Sequence, residues 1–341
     1  MAEEWKLPKC RILSNAKLTN YFPELLETIY FQIKKTNRRD RFLNILGLIK
    51  MMGQVDVFIA LNPSIEEMIV AFINKCVLRR KSITIFWDMN LQRPANLCAK
   101  MIGWLKAVLL HGVDKFFCVH KDTTGYELDY RIQKSKFLYI PFKANNCNVV
   151  HKYESNDKGY VLACGASLRD YETFVRAIEQ VSFPAKIVLP DHNVASYHNT
   201  SFYEGNLPAN VMVLRHNLKD RDLWNRYIAE ARVVVVPIQE RAIQPAGISV
   251  YLEAMALGKP VIVTEGPSTR GILKNENEAE IVPPSNAIAL AAALRKLWED
   301  KEYREQLACR GKEYALSLGN ETRLVKDILR NAMACVAIKV I

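Results

Sequence analysis

No two of the eight cysteines, at 10, 76, 98, 118, 147, 164, 309 and 335, stand in C-x-x-C spacing, and no histidine is placed to complete a zinc site with them. A zinc ribbon and a disulfide scaffold are thereby excluded, and most of the thiols are expected to be buried in a reducing compartment. Nor does any stretch approach the roughly 18 consecutive apolar residues that a membrane-spanning helix needs. The opening residues, MAEEWKLPKCRIL, lack the apolar core of a secretory leader, so a cytoplasmic location is expected. Repeats of solenoid period and low-complexity tracts are absent, as are the aromatic-basic strings of RNA-binding sheets.

What is present is a 341-residue chain, half of it hydrophobic, long enough for two cores rather than one. Its charge is unevenly spread. Residues 1–150 hold 23 Lys and Arg against 13 Asp and Glu, a net of +10, whereas residues 151–341 hold 24 against 23, a net of +1. Such an excess fits an acidic partner for the first half, whether an anionic membrane surface, a phosphorylated acceptor or nucleic acid, or else a dispersed solvated surface.

The chain is organised around RVVVVPIQERAIQPAGISVYLEAMALGKPVIVTEG, Arg232 to Gly266. Val233 to Val236 are β-branched and stop at Pro237, which suits a strand buried on both faces. From Ile248 to Leu257 the apolar residues follow helical spacing, with Gly258 suited to a left-handed C-terminal residue and Pro260 barring continuation. Val261 to Thr264 make a second buried strand. Strand, helix, strand is a parallel crossover whose ligand edge lies at the strands' C-terminal ends. Gly247 removes the side chain at the helix start, so the amides of Ile248 and Ser249 can face an anion such as a phosphate, helped by the helix dipole. Glu253, one or two turns on, is placed to accept hydrogen bonds from a ribose.

This stretch, and GISVYLEAMALGKPVIVTE in particular, resembles the donor-nucleotide signature of GT-B glycosyltransferases, especially the large retaining family 4 group. The resemblance implies an α/β protein of two Rossmann-like domains whose parallel sheets face each other across a cleft. An acceptor domain would span 1–142, a linker 143–158 and a nucleotide-sugar domain 159–320, with the last helix, about 321–341, packing back on the first domain. It also implies that Glu253 binds the ribose hydroxyls, and that Ala246, Gly247, Ile248 and Ser249 meet the diphosphate and sugar. The family's second Glu is missing: Gln244 stands near its place, with one additional residue between Gly247 and Glu253, and Glu240 in the preceding loop is a substitute.

In the first half, KCRILSN reads as a strand, and TNYFPELLETIYFQIKK as a loop and amphipathic helix with Pro23 in its first turn. A basic segment, Lys34 to Arg41, leads into the helix RFLNILGLIKMM. The strand VDVFIAL precedes a helix with Ser64 as N-cap and Glu67 at the capping-box position. ITIFWDMN is the next strand. It ends at Asp88, where the resembled family has a His-Asp pair and this chain has Trp87; Asp88 is a candidate for positioning an acceptor hydroxyl or taking its proton. In NLCAKMIGWLKAVLLHG, the stripe Met101, Trp104, Leu105, Val108 and Leu109 is expected to face the core, the other reading being a bilayer interface. His120, after the strand DKFFCVH, is a further candidate.

The second half opens GYVLACGASLRDYETFVRAIEQV, strand, glycine turn, helix. Gly165 frees the turn, and the resemblance gives Arg169 the role of neutralising the departing diphosphate, although Ala166 replaces the usual Arg after the glycine. His216, Asn217 and Leu218, after the strand NVMVLRH, are expected beside the base. The expectation is a retaining transferase moving a sugar from a nucleoside diphosphate, UDP by default, to a hydroxyl acceptor such as a glycan, glycolipid or small metabolite. No metal or other cofactor is called for. The alternatives are a sugar-nucleotide epimerase of the same fold and a noncatalytic nucleic-acid binder.

Overall fold

The computed structural model describes residues 10–33, 38–153, 156–200, 202–215, 217 and 220–340. Their contacts divide the chain into two compact units, the first formed by 1–119, 123–140 and 322–341, the second by 120–122 and 141–321. Each contains a six-stranded, wholly parallel sheet.

Unit 1 runs β1 (Cys10–Ser14), β2 (Leu26–Tyr30), α1 (Arg38–Met52), β3 (Val57–Leu61), α2 (Ile65–Phe72), β4 (Ile83–Trp87), α3 (Leu97–Leu109), β5 (Lys115–Cys118), α4 (Thr124–Tyr130) and β6 (Phe137–Tyr139). The strand order is β2-β1-β3-β4-β5-β6. The chain leaves β1 in one direction and resumes on its other side, so the switch of direction lies between β1 and β3. Asn15 staples that point: its Oδ1 accepts from Leu61 N at 2.7 Å and its Nδ2 donates to Leu61 O at 3.0 Å and to Glu67 Oε1 at 2.7 Å. The other oxygen of Glu67 accepts from Ser64 N at 2.6 Å, the expected return bond of a capping box.

Two expectations for this unit are overturned. The helix expected in TNYFPELLETIYFQIKK is not formed: Leu26–Tyr30 are the strand β2, paired in register from Cys10↔Leu26 to Ser14↔Tyr30, and Lys34 to Asn37 lie outside the described residues. Pro23 sits in a turn, where Phe22 O accepts from Leu25 and Leu26, and the β-branched and aromatic run Thr28, Ile29, Tyr30 serves the otherwise open edge of β1. Most of the stripe on α3 does not face the core. Met101, Trp104 and Leu105 are exposed, while Gly103 and Ala107 are buried with Leu109. A Cβ on Gly103 would stand 3.2 Å from Pro94 Cγ, so close packing, rather than side-chain size, decides which face turns inward.

Unit 2 runs β7 (Val161–Cys164), α5 (Tyr171–Val181), β8 (Ala185–Leu189), α6 (His192–Tyr197), β9 (Val211–Arg215), α7 (Arg221–Glu230), β10 (Val233–Val236), α8 (Ile248–Ala256), β11 (Val261–Thr264), β12 (Glu280–Val282), α9 (Ala287–Glu299) and α10 (Lys301–Ser317), and then α11 (Glu321–Val340), which from Thr322 onward belongs to unit 1. The order is β12-β11-β10-β7-β8-β9, so the switch of direction lies between β7 and β10. Val233 to Val236 are buried on both faces, each such side chain contributing about 1.5–3 kcal/mol by leaving water. On one face Phe174 and Ile178 of α5 interlock with Leu294 and Leu297 of α9.

Residues 143–146 of the expected linker are built into unit 2, with Ala144 fully buried and Lys143 and Asn146 nearly so. The cysteines also depart from expectation. Only Cys10, Cys118 and Cys164 are buried, whereas Cys76, Cys98 and Cys309 are exposed, because they fall on outward positions of their elements. Among the described residues, no helix is long and apolar enough to cross a membrane.

Candidate functional site

Parallel α/β sheets leave a crevice at the carboxyl ends of the two strands where the winding reverses. In unit 2 those strands are β7 and β10, and the loops leaving them carry most of the residues singled out above. After β7 the chain turns at Gly165 with φ +117°, a conformation that L side chains rarely adopt. A Cβ there would stand 2.4 Å from Arg169 Nη2. Arg169 lies inside the turn: Nε donates to Cys164 O at 2.9 Å, Nη1 to Ser167 O at 2.6 Å, and the residue is 2% exposed. Burial lowers the guanidinium pKa from its usual value. The expected cation of the loop is therefore also its internal brace.

The two loops are laced together. Gln239 N donates to Leu168 O at 2.9 Å and Gln239 Nε2 to Arg169 O at 3.0 Å, while Asp170 N donates to Pro237 O at 3.1 Å. Glu240 is exposed in the turn that follows. Gln244 is buried; its Nε2 donates to Ser167 Oγ at 3.3 Å and its Oε1 has no hydrogen-bond partner. Ala246, also buried, donates its amide to Gln244 O at 2.8 Å.

Gly247 is the N-cap of α8 with φ +90°, and an added Cβ would meet Val236 Cγ1 at 2.7 Å. No side chain caps the helix. Its first ladder bond runs from Tyr251 N to Gly247 O at 3.1 Å, so the amides of Ile248, Ser249 and Val250 precede the ladder, with the positive end of the helix dipole behind them. That is the chemistry of an anion site.

Glu253, on the second turn, is 1% exposed and receives three donors. Trp224 Nε1 donates to Oε2 at 2.7 Å; Arg221 Nη2, at 2.7 Å, and Asn145 Nδ2, at 2.8 Å, donate to Oε1. Asn146 Nδ2 adds a bond to the Glu253 carbonyl at 3.1 Å. A carboxylate has about four acceptor positions, so one remains on Oε2. These partners occupy most of the carboxylate that the sequence places toward a ribose. Asn145 falls in the segment expected as a linker, and Arg221 and Trp224 belong to α7. Their only local signal is the i, i+3 spacing that sets them on one face of that helix.

The other candidates are scattered. Asn217 is exposed, and His216 and Leu218 lie outside the described residues. His120, in unit 2, is buried, and burial pulls its pKa down to about 4, which makes it neutral at pH 7. Asp88, in unit 1, follows β4 with φ +50°, and burial pushes its carboxyl up to about 6. Trp87 beside it is 6% exposed and its Nε1 makes no hydrogen bond. Also in unit 1, a groove of about 280 Å³ at the carboxyl ends of β1 and β2 is lined by Lys17, Thr19, Thr28 and Tyr30 among others.

Among the described residues no group of three or more His, Cys, Asp or Glu gathers at metal-ligand spacing. Asp220 and Asp222, one residue apart, have other work: Asp220 caps α7 by accepting from Leu223 N at 3.1 Å, and Asp222 pairs with Arg226 at 2.9 Å.

Residues 197–314, which carry α7, β10, the Gly247 turn and α8, match the family model described as Glycosyl transferases group 1. Over those residues the chain is similar to group 1 glycosyltransferases, and its fold is GT-B. The group 1 match takes in Arg221, Trp224, Gln244, Gly247 and Glu253 but ends short of Gly165, Arg169 and Asn145. No curated protein matches the chain. Solved structures show the same fold at low identity. Anabaena HepE in complex with UDP superposes with a TM-score of 0.68 at 11% identity, over 95% of this chain and 99% of that one. A glycosyltransferase from Rickettsia africae gives 0.63 at 13%, over 94% and 89%. Sucrose-phosphate synthase from Thermosynechococcus elongatus gives 0.63 at 15%, over 92% and 84%. The chain thus combines a segment similar to group 1 with two doubly wound units.

Proposed function

We propose that this transferase moves a sugar from a nucleoside diphosphate sugar, with uridine as the base, to a hydroxyl acceptor, with retention at the anomeric carbon. One observation carries the proposal: the side-chain-free entry to α8 at Gly247, with the braced carboxylate of Glu253 on the second turn of the same helix. As the bond from the anomeric carbon to the diphosphate oxygen stretches, negative charge gathers on the leaving group. The amides of Ile248 and Ser249 lie ready for it without reorganising. Arg169 adds a fixed positive charge behind the Gly165 turn, where low dielectric lets it act without contact.

The open position on Glu253 Oε2 accepts one ribose hydroxyl, and the second displaces a donor from Oε1, where Arg221, half-exposed, and Asn145, exposed, are free to move. Gln244 offers its unpartnered Oε1 to a sugar hydroxyl, and Glu240 supplies the carboxylate that Gln244 lacks. Asn217, with His216 and Leu218, flanks the base. In unit 1, Asp88 takes the acceptor's proton, its raised pKa of about 6 suiting a base near neutral pH. A uridine donor is supported by the UDP and UDP-glucose complexes of HepE. The acceptor is a glycan, glycolipid or small metabolite, and no metal is required because peptide dipoles and Arg169 take the charge. The setting is cytoplasmic.

The test is sugar release from UDP-, GDP- and ADP-sugars in the absence of acceptor, together with calorimetry of the free diphosphates. Turnover of a UDP-sugar and UDP binding lost in Glu253→Ala are expected. No nucleoside diphosphate bound by the intact protein, or unaltered affinity in Glu253→Ala, overturns the reading.

A further inference from the structure

Helix α3 is built the wrong way round for a water-soluble domain. Its small residues Gly103 and Ala107 are buried, and its large apolar ones point outward: Leu97, Met101 and Trp104 are 75%, 67% and 65% exposed. At about 100° per residue these three, with Leu105, fall on one face of the helix. Ile102, 56% exposed, widens that face beyond Leu105; Lys100 borders it on one side and the half-buried Lys106 follows Ile102 on the other, and the helix contains no acidic residue. Leu128 on α4, which packs against α3, is also 74% exposed. A contiguous apolar patch on the outside of a soluble domain marks an interaction surface.

We propose that α3 is an interfacial anchor that seats unit 1 on an anionic lipid surface. The chemistry selects this occupant. Thirteen residues span too short a distance to cross a bilayer, about 20 Å at 1.5 Å per residue, so the helix lies in the interface plane. The apolar face enters the acyl boundary, the indole of Trp104 sits at headgroup level, and Lys100 and Lys106 run their stems along the apolar edge to meet lipid phosphates. The net charge of +10 over residues 1–150 adds long-range attraction to the same surface. Docking of a second copy on this face would bring lysines together with no acid on the helix to answer them.

The inference needs nothing from the donor site and stands or falls apart from the transferase reading. The intact protein is sedimented with vesicles of phosphatidylcholine alone and of phosphatidylcholine mixed with phosphatidylglycerol. Partition onto the anionic vesicles only, weakened by salt, is expected. The double variants Met101→Ser/Trp104→Ser and Lys100→Glu/Lys106→Glu should each reduce it at least about tenfold. Neither changes a buried group, so both should melt like the wild type. The proposal is overturned if the wild type ignores anionic vesicles, if neither variant alters partition, or if the protein is a dimer that Met101→Ser/Trp104→Ser dissociates and that does not sediment with lipid.

Discussion

The indole of Trp224 donates its N–H to Glu253 Oε2 at 2.7 Å, from a side chain that is itself buried. The bond fixes the plane of the carboxylate and leaves its remaining acceptor position defined. Replacing the indole by a ring without a donor strands one oxygen of a buried carboxylate, which costs about 1–3 kcal/mol. Trp224→Phe is therefore expected to lower the unfolding free energy from urea titration by that amount and to weaken UDP binding, measured by calorimetry. A variant that binds UDP as tightly as the wild type would separate Trp224 from the site.

Gly247 is constrained twice, by φ +90° and by Val236 Cγ1 at 2.7 Å from where a Cβ would go. Gly247→Ala should destabilise the protein by about 1–3 kcal/mol in thermal melting and displace the first amides of α8. Affinity for a diphosphate is expected to fall more than stability alone explains. Full retention of both would remove Gly247 from the argument.

Arg169 supports two carbonyls from inside its turn, Cys164 O and Ser167 O. A lysine keeps the charge but cannot donate to both in a fixed fork. Arg169→Lys should thus melt at a lower temperature as well as turn over more slowly, and Gly165→Ala should share its defect, because both disturb the same contact. A lysine variant with wild-type melting and reduced kcat alone would mean that the guanidinium acts as an exposed cation.

Asp88 carries a pH signature. Burial raises its pKa in the folded chain to about 6, against about 3.9 unfolded. As pH rises between these values the unfolded chain releases its proton first, so the folded state loses stability, up to about 3 kcal/mol once pH exceeds 6. Asp88→Asn removes this penalty and suits the left-handed φ of +50°. Its urea midpoint should exceed that of the wild type at pH 7.5 and converge with it near pH 4. A constant difference across that range would reject the assignment.

The sequence by itself determined the strand-helix-strand of β10, α8 and β11, because four consecutive valines, a helical period and a Gly-Lys-Pro stop agree at every level. Gly247 was legible for the same reason, a residue type demanded by the backbone. What lay outside local reach was decided by tertiary structure. β2 became a strand because β1 had an open edge. α3 turned its large residues outward because only Gly103 and Ala107 let it lie against its neighbours. Glu253 gained its partners across 29, 32 and 108 residues of chain. Periodicity records which face of an element is apolar; the three-dimensional packing alone records what that face, or a buried carboxylate, will meet.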